Sequence, residues 1–165
     1  MEKEDSGMRT EKKDLKIPPV FSGPAQLLLY TRYGDPRSAG WENRWITNWK
    51  VGNRHPWFPL QEIKIHKHFW PMLDVAFTKL EQLGLQDEIK TFFRGFQLFH
   101  LHDSPVLSVH SWGAAIDLNA EINPLGSMGR WSDAFIDIMK VHGIFCGQCW
   151  TGTKEPMHFG MVEGE

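Results

Sequence analysis

The chain has 165 residues, 41% of them hydrophobic and 23% charged, with a formal net charge of −2. That length suits one domain with a substantial core, and the charge supplies no basic field to draw nucleic acid or an anionic membrane. No apolar run reaches the roughly 18 residues that span a bilayer, and the N-terminal MEKEDSGMRTEKKDLK lacks the apolar stretch of a secretory signal. These features predict a soluble monomer, cytoplasmic as synthesised, with no nucleic-acid partner and no membrane insertion.

Residues 1–18 are polar and charged and are predicted to form a disordered tail, with the folded domain over 19–165. Residues 20–60 are rich in Gly, Pro, Trp and Asn and have poor periodicity. They are expected to wrap the core irregularly, anchored by Trp41, Trp45, Trp49 and Trp57. A helix is predicted over 67–83, starting near Pro71 and stopping at Gly84. Its inward stripe would be Leu73, Ala76, Phe77, Leu80 and Leu83, with Asp74 off that face. A strand follows at 89–93, a weakly alternating stretch at 96–101 and a short strand at 114–118. Ser132 is placed to cap a helix with Phe135, Ile138 and Met139 inward and Gly143 at its end. The last strand is predicted over 157–162. This order predicts an α+β domain, with helices packed on a small, mainly antiparallel sheet.

The chemistry concentrates in SVHSWGAAIDLN, residues 108–119, and EPMHFG, residues 155–160. A carboxylate in a run as apolar as AAIDL is costly to bury unless a partner balances its charge. His110 and Asp117, seven apart, would face opposite sides of a straight strand, so they can meet only if the chain bends near Gly113. With His158 they make three N/O donors and leave a fourth position open, the ligand count of a catalytic zinc site. Glu155, three before His158, is a candidate to move the proton of an activated water. Spacing alone leaves the ordinary alternatives open, a hydrogen-bonded loop histidine and a capped aspartate, because eight His and 20 Asp and Glu generate many such triples.

The first motif resembles the SxHxxGxAxD signature of the VanY-like D-alanyl-D-alanine carboxypeptidase and L-alanyl-D-glutamate endopeptidase family of zinc peptidases, which includes many phage endolysins. Ser108, His110, Gly113, Ala115 and Asp117 match it. Glu155, His158 and Phe159 match the second signature, an acid, two residues, then His-Phe. YGDP at 33–36 and the segment HKHFWPMLDVAFTKL are similar to the endopeptidase branch, and the likeness covers about residues 30–162. The resemblance implies a hedgehog/D-Ala-D-Ala peptidase-like fold carrying zinc on His110, Asp117 and His158. It implies zinc-activated water as nucleophile, with Glu155 as general base and acid, and a peptidoglycan stem peptide as substrate. Either a terminal D-alanine is released or an internal L-alanyl-D-glutamate bond is cut, the second being preferred. Ser108 would support a ligand or substrate group. The enzyme would act on the cell wall after release or delivery.

Two positions depart from the family pattern. An arginine that steadies the oxyanion is expected about eleven residues before the first histidine, where this chain has Phe99. Arg94, His100 and His102 are the candidates to replace it; without a replacement the chain would be a weakened zinc-binding scaffold. Gly160 stands where the family often has Glu.

Other features carry competing readings. CGQC, with Cys146 and Cys149, has the pattern of a redox centre or half a zinc site. His100, His102 and Asp103 could form a second metal site or lie in a polar loop. His66, His68 and His142 read as solvated or capping residues and His55 as exposed. Trp112 and Trp150 flank the motifs as substrate walls or as core.

Overall fold

The computed structural model describes residues 16–165; the predicted tail lies outside the described residues up to residue 15. The region expected to be irregular instead contains four short elements: α1 (Pro24–Tyr33), α2 (Trp41–Trp45), β1 (Ile46–Trp49) and α3 (Val51–Arg54). Pro24 opens α1, where a missing N–H costs nothing, and Gly34 closes it at φ 81°. No clean apolar stripe announces α1, because its buried face includes Gln26. That amide is satisfied by donating to the Leu107 carbonyl at 2.9 Å. Trp41 and Trp49 are buried as expected, while Trp45 and Trp57 are half-buried.

After β2 (Ile63–His66) comes α4 (Trp70–Gln82), which buries Leu73, Ala76, Phe77 and Leu80. Two expectations for this helix fail. Leu83 lies beyond the last turn and is exposed. Asp74 points inward, where its carboxylate meets His55 Nε2 at 2.9 Å and Arg54 at 2.8 Å. His55 is therefore buried rather than exposed, since a buried carboxylate needs such partners.

His66 is also a correction. It sits on β2, fully buried, with Nδ1 accepting from the His68 N–H at 3.1 Å. Burial, helped by the charges of His68 and Lys67, pulls its pKa down to about 3. A histidine held neutral in the fold but protonated when unfolded makes the unfolded state bind more protons. Stability therefore falls as pH drops from about 6.5 towards 3. His66→Asn should flatten that slope in urea unfolding, removing roughly 3–5 kcal/mol of acid sensitivity; an unchanged pH dependence would count against this assignment. His68 is exposed, and His142 is half-buried with Nδ1 against the Ile138 carbonyl at 2.8 Å, a helix-end contact.

The remaining elements are β3 (Phe92–Arg94), β4 (Ala115–Leu118), α5 (Asp133–Val141), β5 (Phe145–Gly147) and β6 (Glu155–Gly160). β3 begins later than predicted because the Lys90 and Thr91 N–H groups donate to the Asn119 side chain, not to a strand. Residues 96–101 make only an isolated bridge, His100 to Leu107. Ser132 caps α5 by accepting from the Phe135 N–H at 3.2 Å. Phe135, Ile136 and Met139 are buried on α5, and Ile138 is half-buried against the core.

β1 and β2 form one antiparallel pair; the other four strands form an antiparallel sheet in the order β3-β4-β6-β5. With the helices, this is an α+β architecture. Ile116, Leu118 and Phe159 pack with Leu73 and Phe77 of α4 and with Phe135 and Met139 of α5. Ala115 joins a second cluster with Phe21, Leu29, Trp41 and Trp112. Strand alternation sends Asp117 to the Ala115 side, away from α4 and α5. Among the described residues no helix is long and apolar enough to cross a membrane.

Candidate metal centre

Register places the first elements of the site. Asp117 stands opposite His158 across β4 and β6, and opposite Arg94 across β3 and β4. His110 comes from a 3₁₀ turn, Val109–Trp112. Ser108 caps that turn, its hydroxyl accepting from the His110 N–H at 3.2 Å. Gly113 ends it at φ 63° and ψ 23°, and its carbonyl accepts from the His66 N–H at 3.0 Å. This left-handed residue is the bend that the seven-residue spacing requires.

His110, Asp117 and His158 are all buried, and one donor atom from each lies within 4.8 Å of the others. Asp117 Oδ1 is 3.1 Å from His110 Nε2 and 3.6 Å from His158 Nδ1. His110 Nδ1 lies 3.0 Å from the Gly95 carbonyl, which can only accept, so Nδ1 carries a proton. In the neutral ring Nε2 is then a lone pair facing a carboxylate oxygen. Two acceptors at that distance need a proton or a metal cation between them, and two imidazoles with one carboxylate suit zinc. The donor set thus fits the metal that the resemblance implies.

The electrostatics agree. Burial opposes charge on Asp117, but hydrogen bonds from His110 and His158, and their charge, hold its pKa below the usual carboxylate range. Burial also opposes charge on His158, but the Asp117 hydrogen bond and the nearby carboxylates Glu165, Asp117 and Glu155 raise its pKa.

Glu155 opens β6. The register against β5 jumps from Cys146–Phe159 to Gly147–Glu155. On a regular strand, residues three apart face opposite sides; the irregularity lifts that constraint. Gly147 accommodates the jump, for a Cβ there would collide with the Glu155 carbonyl. Burial raises the Glu155 pKa, and the charges of His158, Glu165, Asp117 and His110 all reach it.

Residues 102–161 match the family model for D-alanyl-D-alanine carboxypeptidase. The matched carboxypeptidase segment contains both motifs, and it agrees with the VanY-like resemblance read from the sequence. No curated protein and no solved structure matches the chain.

Other sequence candidates fall in different places. His100 and His102 are exposed, and His102 pairs with the equally exposed Asp103. Among the described residues only His110, Asp117 and His158 form a group that could hold a metal ion, so neither FHLHD nor CGQC contributes a cluster. Cys146 lies on β5, not at a helix start, and burial pushes its thiol up to about 12, the reverse of a redox thiol. Trp112 is core, its indole N–H donating to the Gly34 carbonyl at 2.9 Å. Trp150 packs its ring 5.3 Å from that of His158 and also lines a cleft of about 510 Å³ with Lys140, Phe145 and Cys149.

Arg94 is placed by the β3–β4 register, with Nε 3.8 Å from Asp117 Oδ2. Its guanidinium lies 4.5 Å from the ring centroid of Phe99, the position where the family pattern has arginine. Sequence spacing left Arg94 and the two histidines open; strand register sets Arg94 beside Asp117, while His100 and His102 are exposed. Glu165, which no motif singled out, also reaches the site.

Proposed function

We propose that the chain is a zinc-dependent peptidase that hydrolyses a bond in peptidoglycan stem peptides. The observation that carries this reading is the buried convergence of His110 Nε2, Asp117 Oδ1 and His158 Nδ1, a donor set that could hold a metal ion. His110, Asp117 and His158 would hold the metal and leave a position open for water and substrate. Bound zinc would lower the pKa of a water and polarise the scissile carbonyl.

Glu155 takes the proton from the attacking water and delivers it to the leaving amine. Its burial-raised pKa suits a group that must both accept and return a proton. Arg94 supplies the charged donor for the developing oxyanion. A guanidinium beside the donor set supports the hydrolase over the rival reading of a weakened scaffold. Trp150 forms a wall beside His158.

The test is incubation of the zinc-loaded protein with purified peptidoglycan and with synthetic stem peptides. New amino groups should appear and should vanish with chelator. Mass spectrometry separates the two cuts: free D-alanine marks the carboxypeptidase, and a new D-glutamyl N-terminus marks the endopeptidase. No amino-group release from zinc-loaded protein would overturn the hydrolase reading.

A further inference from the structure

His158 presents one ring nitrogen to the donor set and the other away from it. Nε2 is buried, makes no hydrogen bond in the structure, and faces the Glu165 carboxylate, with Oε2 at 3.8 Å. The Glu165 side chain is only 9% exposed, and that same Oε2 also makes no hydrogen bond. Its other oxygen accepts from the Ser108 hydroxyl, the group that caps the turn carrying His110. One carboxylate therefore lies against one donor, His158, and against the support of another, His110.

Its placement is built by the chain after β6. Met161 N–H donates to the Ala114 carbonyl at 2.8 Å, and Val162 is buried in the second core cluster. Gly164, at φ 91°, then takes a conformation that side-chain-bearing residues rarely adopt. Gly160 leaves the space open, since a Cβ there would lie 3.1 Å from His158 Nε2.

We propose that Glu165 is a positioning residue for the metal centre. Its carboxylate receives the Nε2–H of His158, which fixes the tautomer whose Nδ1 lone pair points at the metal, and its bond to Ser108 ties that support to the His110 turn. Carboxylates that hold the outer nitrogen of a ligating histidine orient the ring and raise its basicity. This inference rests on the zinc-site reading given above.

The experiment measures zinc affinity of the full chain by competition with a chromophoric chelator, together with urea unfolding of the metal-free protein. Glu165→Ala should weaken zinc binding by about 10- to 100-fold while the metal-free unfolding midpoint stays near wild type. Glu165→Gln keeps the shape and an acceptor but loses the charge, so it should fall between wild type and Ala; it carries the test if Ala fails to fold. Wild-type affinity in the Gln variant, or in a folded Ala variant, would overturn the role of Glu165 and leave the zinc site standing. A wild-type chain that binds no zinc would overturn both.

Discussion

Replacing Glu155 with Gln is expected to lower hydrolysis by about 10²- to 10⁴-fold while zinc uptake stays at wild-type stoichiometry. Glutamine has nearly the same shape, so β6 and its irregular pairing with β5 should persist. It cannot accept the proton of the attacking water. The pH profile adds an independent check. Burial raises the Glu155 pKa, so wild-type activity should fall as pH drops through that raised value and the base becomes protonated. Residual activity of the Gln variant should lack this acidic limb. A bound cation would draw the carboxylate pKa down again, so the limb should lie lower in the zinc-loaded enzyme than burial alone would set it. Loss of zinc together with activity would instead make Glu155 part of the binding site. Unchanged activity would remove it from the chemistry altogether.

How far these features could be read from the sequence depends on the range of the interaction that creates them. His110, Gly113 and Asp117 lie within eight positions, and their convergence follows from strand geometry and one permissive glycine. The face buried by α4 follows from helical spacing at Leu73, Ala76, Phe77 and Leu80. Features decided by a distant partner were not legible. Asp74 looks like a solvated residue until His55 and Arg54 close on it. α1 hides its periodicity because Gln26 is buried on a carbonyl 81 residues away. Arg94 and His100 are indistinguishable by spacing, and only the pairing of Arg94 with Asp117 separates them. Glu165 reaches His158 from beyond the end of β6, after the positive φ of Gly164, and no local pattern marks that approach.

Gly113→Ala should then be the most damaging small substitution near the site. At φ 63° an alanine enters the left-handed region, which costs about 1–2 kcal/mol. Its Cβ would also lie 2.7 Å from both His66 N and Ile46 Cδ1 and 3.3 Å from Ile65 C. Two of those atoms are backbone of β2, which cannot move without disturbing its pairing with β1. Adding that crowding, the expected loss of stability is about 2–4 kcal/mol, read from urea unfolding of the metal-free protein. Zinc binding should weaken as well, because the same bend carries His110 back towards Asp117 and a site loosens when its supporting geometry shifts. Gly40→Ala provides the comparison. It is left-handed too, at φ 77° and ψ −4°, but nothing lies within 4 Å of the added Cβ, so it should show the backbone cost with little effect on zinc. If Gly113→Ala were no worse than Gly40→Ala on both readouts, the close approach of β2 would not be what holds the bend.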